Sequence, residues 1–506
     1  MRNVPAANLF FEIGNNFANF DGYKPAGRAF VQKPNNLNGK DMKKLISIAV
    51  SFMLITASAF GQAKYVFYFI GDGMGVNQVQ MTELYRAAVK GNLGVEPLAF
   101  TQFPVATMAT HYSASSDVTD SAASGTALAC GVKTINGRLG VDPEGNKVES
   151  IAEIAKANGK KVGIVTTVPV NHATPAAFSA HQLSRGWGYE IALDQIAEGF
   201  DFYAGASIMD EDKDKDGNKV DPIRPKFEAA GYTICNVDEF NAGYKDMQKV
   251  LMLPGENQWV SYAINVRHED PSTHITLSQM VESAITFLMK DNKKGFFLMA
   301  EGGEIDHGGH SNDAAATVHE VMDMDNAIKV ALEFYNKYPK QTLIVVSADH
   351  ETGGLVVKPK DEVQLARLQN QQYSTGELSD MLKERIKKSP DALSWDFVKD
   401  FLKEQLGFWD TINLNWAEEK ELRDIYEETI AKRKAGSVKD LYADNAKIVS
   451  TAVGILNNKS GIFWSGGGHS AGYTPVYAIG VGCELFSHKT DNSELPMLIK
   501  KAAAYK

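Results

Sequence analysis

FFLMAEGGEIDHGGHSNDAAATVHEVMDMDNAIKVALEFYNKYPKQTLIVVSADH, residues Phe296 to His350, is the stretch on which the fold turns. Gly295 leads into a run of strand length and apolar character, Phe296–Ala300. A long amphipathic segment, Ala314–Tyr338, then places Val318, Val321, Ile328, Ala331 and Phe334 on or near one helical face. A second apolar strand, Thr342–Ser347, follows. Strand, long helix, strand is the pattern of a parallel crossover, with both strands buried.

The same alternation extends in both directions. Tyr65–Ile70 is a short apolar strand ending at Gly71. Val148–Asn158 reads as a helix stopped by Gly159, ahead of the strand Val162–Thr167. Ile275–Met289 is helical, Pro475–Val481 a strand and Leu495–Ala504 a closing helix. The expectation is an α/β fold: one large, mostly parallel sheet with helices on both faces. Two stretches interrupt it, at about 201–265 and 360–458, and the second is expected to be a helical insertion. In the first, Asp212 to Gly217 has the spacing of a calcium loop, but Ile223 stands where the bidentate Glu belongs, so a solvated turn is expected.

The 506 residues are 44% hydrophobic with a formal charge of -10, which leaves no footprint for a nucleic-acid partner. Three cysteines (Cys130, Cys235, Cys483) cannot build a disulfide framework, and buried thiols are the simpler expectation. From Met42 the chain reads MKKLISIAVSFMLITASAFGQA, the basic, apolar, small-residue order of an export signal. Residues 1–41 are therefore expected to be an upstream extension, 42–61 a signal peptide, and 62–506 the mature catalytic domain, periplasmic or secreted and without a membrane span.

Chemistry-bearing residues recur where strands end, the edge at which open α/β sheets bind ligands. Asp72 lies between glycines after the first strand, placed either to approach a metal or to cap a helix. Ser121 opens a small-residue helix, where free amides favour an oxyanion, although a capping Ser is the commoner use. His172, Thr174 and Arg185 follow the strand Val162–Thr167; a hydroxyl can ligate a hard cation and an arginine can clamp a phosphate. After Phe296–Ala300 come Glu301, Asp306, His307 and His310 among glycines. Asp306 and His310 are four apart, so both can reach one ion, and mixed Asp/His ligation suits zinc. Asp349 and His350 end the Thr342–Ser347 strand, and His469 follows three glycines.

Taken in order from about Lys64 to Gly482, these segments closely resemble the alkaline phosphatase family. The resemblance implies a phosphomonoesterase with an alkaline phosphatase-like fold, acting on small phosphate monoesters as a homodimer. Ser121 would be the serine that becomes phosphorylated, and Arg185 would bind the phosphate oxygens, with His172 and His307 also facing substrate. Two zinc ions are implied, one on Asp306, His310 and His469 and the other on Asp72, Asp349 and His350. One magnesium ion is implied on Asp72, Thr174 and Glu301. His172 and His307 stand at positions that vary within the family. The rival readings are a phosphodiesterase of the same superfamily, a sulfatase, which would need a C/S-x-P-x-R segment that does not accompany Ser121, and a metal- or phosphate-binding protein without catalysis.

Overall fold

The computed structural model describes residues 62–506, apart from 257, 362–363, 390–392 and 435–439. The expected extension at 1–41 and the expected export signal at 42–61 lie outside the described residues. The apolar runs form a ten-stranded sheet. Its members are β1 (Tyr65–Gly71), β2 (Val105–Thr110), β3 (Lys161–Thr166), β4 (Phe202–Ala204), β5 (Tyr232–Cys235), β6 (Lys249–Met252), β7 (Phe296–Gly302), β8 (Thr342–Ala348), β13 (Thr474–Gly480) and β14 (Thr490–Asp491). Short pairs flank it: β9 (Glu351–Thr352) with β12 (His469–Ser470), and β10 (Val356–Val357) with β11 (Ile462–Phe463). The order across the large sheet is β14-β2-β13-β8-β1-β7-β3-β4-β6-β5. Its pairings are parallel except for the two made by β13, which runs against β2 and β8.

β1 lies at the centre, buried along its whole length. Period-two alternation sends Val66, Tyr68 and Ile70 to one face and Tyr65, Phe67 and Phe69 to the other. The first face is covered by α2 (Ser121–Cys130), α3 (Ile151–Ala157), α5 (Gly188–Glu198) and α13 (Leu495–Ala503). The second is covered by α6 (Leu277–Met289) and α8 (Ala314–Lys337), and the expected stripe of Val318, Val321, Ile328, Ala331 and Phe334 is buried. Cutting Phe67 back to Ala in such a packed layer would cost about 3–5 kcal/mol.

Local chemistry sets the helix ends and corrects two expected ones. Ser150 accepts from the Glu153 amide while the Glu153 carboxylate accepts from the Ser150 amide, so α3 starts at Ile151 rather than Val148. Thr276 and Gln279 make the same box, and α6 starts at Leu277 rather than Ile275.

Residues 201–265 supply β4, β5 and β6, so this stretch widens the sheet rather than only interrupting it. Those strands are three or four residues long, too short for periodicity to reveal them. The acidic run there is an exposed turn in which Asp214 accepts from the Asp216 and Asn218 amides. Among the described residues, 360–458 carry four α-helices, α9 (Thr375–Lys388), α10 (Trp395–Leu406), α11 (Trp416–Lys434) and α12 (Asp440–Lys459), with an apolar cluster of their own around Leu382, Phe401 and Leu402. The three cysteines are free, with Cys130 and Cys235 buried. Among the described residues, no helix is long and apolar enough to cross a membrane.

Candidate active site

The register of three strands builds the site. Gly71 at the end of β1 pairs with Gly302 of β7 on one side and Ala348 of β8 on the other. Parallel strands that end together release Asp72 and Asp349 side by side, and Glu301, the last but one residue of β7 rather than the first after it, lies at the same edge. Gly73 then turns with φ at +72°, its amide donating to Asp349 Oδ1 at 3.1 Å. A Cβ at Gly73 would come within 2.8 Å of the Asp306 Cα, so only glycine lets the two loops meet.

Ser121 is the first residue of α2, capped by Asp120, whose side chain accepts from the Ala123 amide at 3.0 Å. Its Oγ lies 3.2 Å from His350 Nε2. The same nitrogen is 3.3 Å from Asp72 Oδ1 and 3.2 Å from Asp349 Oδ2. Asp306 and His310 come from α7 (Glu304–His310), and His310 Nε2 is 3.1 Å from Asp306 Oδ2 and 3.2 Å from His469 Nε2. His310 Nδ1 lies 2.6 Å from the Gly467 carbonyl and His469 Nδ1 lies 2.8 Å from the Thr119 carbonyl. Each carbonyl can only accept, so each Nδ1 carries a hydrogen and both Nε2 atoms face the Asp306 carboxylate. A backbone carbonyl on Nδ1 fixes the ring and leaves Nε2 to face a metal, as in metal-ligating imidazoles.

Three groups offer ligand atoms all within 4.8 Å of one another: Asp72, Asp349 and His350; Asp306, His350 and His469; and Asp72, His172 and Glu301. Asp72 Oδ1, Asp349 Oδ2 and Glu301 Oε1 are buried and accept no hydrogen bond. Among the described residues no lysine or arginine is ion-paired with these carboxylates. Burial, then the neighbouring Asp349, Asp306 and Glu301, drive the Asp72 carboxyl well above its ordinary range. Burial pushes Asp349 up to about 8 and Glu301 up to about 7, the latter against hydrogen bonds from Thr166 and Thr174. Burial also acts on Asp306, but the His310 hydrogen bond and the His350 and His310 imidazoles outweigh it and hold that carboxyl below the usual range. Buried carboxylates without cations, and imidazole lone pairs facing them, fit bound metal ions. A hydroxyl joins them, since Thr174 donates to Asp72 Oδ2 at 3.3 Å from α4 (Ala173–Ala176).

Arg185 stands beside this cluster, its Nη1 3.3 Å from Asp120 Oδ2 and its Nη2 3.1 Å from His172 Nε2. Burial, then Arg185 and His307, depress His172 to about 3, so its ring is neutral and accepts from the guanidinium. His172 thus lies between Arg185 and the Asp72–Glu301 group. His307 is half-exposed, with Nδ1 2.9 Å from Glu304 Oε2, and its ring centre is 6.1 Å from that of His172. Sequence reasoning missed two supporting residues. Asp120 orients Arg185 as well as capping α2, and its place immediately before the small-residue helix was the available signal. Thr352 donates to Asp306 Oδ1 and lies 3.2 Å from His350 Nδ1. It had no local signal, because strand pairing of β9 with β12 brings it there.

Known proteins share this architecture. The family model described as "Alkaline phosphatase" matches residues 63–212 and 200–505. Alkaline phosphatase 3 of Bacillus subtilis is 33% identical over 458 residues, covering 88% of this chain and 90% of the relative. The human tissue-nonspecific isozyme of alkaline phosphatase is 36% identical over 338 residues, covering 57% of this chain and 63% of that one. The crystal structure of a cold-active alkaline phosphatase from a psychrophilic Shewanella superposes with a TM-score of 0.71 at 28% identity, covering 87% of this chain and 99% of that one. With the family model spanning nearly all of the described residues and a relative matched over almost its full length, the chain belongs to the alkaline phosphatase family of phosphomonoester hydrolases.

Proposed function

We propose that the chain hydrolyses phosphate monoesters through a phosphoserine at Ser121, with two zinc ions and one magnesium ion in the cluster beside it. The observation that carries this reading is the position of the Ser121 hydroxyl, at the first turn of α2 and 3.2 Å from His350 Nε2 within the carboxylate–imidazole cluster. Asp306, His310 and His469 would hold one zinc and Asp72, Asp349 and His350 the other, imidazole and carboxylate being zinc's ligands. Asp72, Thr174 and Glu301 would hold magnesium through oxygen alone. When bound, the ions supply the positive charge that favours an ionised serine and stabilises the leaving oxygen. Ser121 Oγ forms a bond to phosphorus as the ester oxygen departs, and water then cleaves the phosphoserine to release inorganic phosphate. Arg185, held by Asp120 and His172, clamps the phosphate oxygens, and the α2 dipole favours their charge.

Acid quenching during turnover followed by peptide mass spectrometry tests this directly. Phosphate on Ser121 is expected, and turnover with Ser121 never modified would sink the nucleophile assignment. Monoester and diester substrates assayed side by side separate this reading from a diesterase. The proposal includes export and a homodimer; the first rests on the order of residues from Met42 and the second on family resemblance. N-terminal sequencing of native protein and its sedimentation behaviour test them.

A further inference from the structure

A second set of ligand-type side chains is built on other elements. Glu153 comes from α3, Glu198 is the last residue of α5, and His181 lies on the segment between α4 and α5. Their ligand atoms all lie within 4.8 Å of one another. The His181 side chain is only 4% exposed, and its Nδ1 is 2.7 Å from the Gly140 carbonyl. That carbonyl accepts, so Nδ1 carries the hydrogen and Nε2 faces Glu153 Oε1 at 3.1 Å. His310 and His469 have this same arrangement, with Nδ1 on a backbone carbonyl and Nε2 toward a carboxylate. An imidazole lone pair against a carboxylate is repulsive unless a cation lies between them, either a proton on the ring or a shared metal ion.

Glu198 decides between the two. A proton on His181 hydrogen-bonds Glu153, which also accepts from the Ser150 amide, and acts on Glu198 only through space. It leaves the Glu198 carboxylate beside them without an ion pair among the described residues. Lys147 and Lys156 are within electrostatic reach, but the Lys156 ammonium is turned to the backbone carbonyls of Glu198 and Gly199. We propose that Glu153, His181 and Glu198 form a structural site for a divalent ion of zinc type, with one nitrogen and two carboxylates as its protein ligands. The ion would tie α3 and the end of α5 to the segment that leads to Arg185. That segment is already anchored by the His181 amide on Asp194, the Gln182–Leu139 bridge and the Arg185 amide on the Gly137 carbonyl.

The site stands apart from the Ser121 cluster, so its test does not depend on the catalytic reading. Full-length mature enzyme, His181→Ala and Glu198→Gln are equilibrated with zinc and magnesium, desalted, and assayed for metal content, melting temperature and monoester turnover. The expected result is one fewer zinc per chain in both variants, with turnover retained and a zinc-dependent rise in melting temperature that only the wild type has. Anomalous scattering at the zinc edge from wild-type crystals gives the same answer even if a variant fails to fold, with a peak expected beside His181 Nε2. Equal zinc content in all three proteins, or no peak at His181 in zinc-replete crystals, would overturn the proposal and identify His181 as a protonated partner of Glu153.

Discussion

Metal loading should release protons, in a number that depends on pH. In the metal-free protein at pH 7, Glu301 at about 7 is roughly half protonated, Asp349 at about 8 roughly nine-tenths, and His310 at about 9 almost fully, its rise caused by the Asp306 hydrogen bond. Together they hold roughly 2.4 protons, and Asp72, raised by burial and its carboxylate neighbours, adds to the count. Ligands bind metal deprotonated, so these protons must leave. At pH 9 the same three groups hold only about 0.6, chiefly on His310. Calorimetric titration of the chelator-stripped enzyme with zinc and magnesium, in buffers of different ionisation enthalpy, reads the number directly. About two more protons should be released at pH 7 than at pH 9. Release of none at pH 7, or the same number at both, would refute the reasoning, because it would mean that the buried carboxylates are already ionised without the metals.

Ser121→Ala should retain its metals and lose turnover by roughly three orders of magnitude or more. Near-normal rates in the metal-replete variant would rule out Ser121 as nucleophile. Asp120→Ala removes both the α2 cap and the partner of Arg185. It should cost about 1 kcal/mol of stability and raise KM and the inhibition constant of phosphate together by about fivefold; unchanged values for both would show that Asp120 does not position the guanidinium. The metal-free enzyme should melt at progressively lower temperature as pH rises from about 5 to 9. Glu301, Asp349 and His310 all have folded-state pKa values above their ordinary ones, so their stabilisation is complete at low pH and lost as pH rises through about 7, 8 and 9. A metal-free melting temperature that is flat or rising over that interval, followed by calorimetry, would contradict the sign.

The sheet was legible because its central strands are buried on both faces and read as continuous apolar runs: YVFYFI, FFLMA and TLIVVSA each stand out without any periodicity argument. The residues after those runs were legible for a related reason. Asp, Glu and His among glycines have no place on a solvated helix face, and their position at strand ends is itself a functional signal. What escaped was set by tertiary pairing. β4, β5 and β6 are too short to carry a pattern, and β13 looks like any other strand although it alone runs backwards against β2 and β8. Thr352 and Asp120 are ordinary polar residues until the fold brings one to Asp306 and the other to Arg185.

The cluster beside Ser121 violates the rule that buried charges are paired, and it does so in one place with four carboxyls. Asp72, Glu301, Asp306 and Asp349 are each less than one-twentieth exposed; His350 also lies against Asp72 and Asp349, but of the four only Asp306 is held below its usual range. A protein that needed only stability could have placed a lysine or arginine among them. The Arg185 guanidinium is instead turned to Asp120 and His172. On the reading proposed above, the cations would be supplied from outside and the arginine kept for the ligand. Metals bound there would reverse the sign of the potential beside the Ser121 hydroxyl, which is how an acidic chain would receive an anionic substrate.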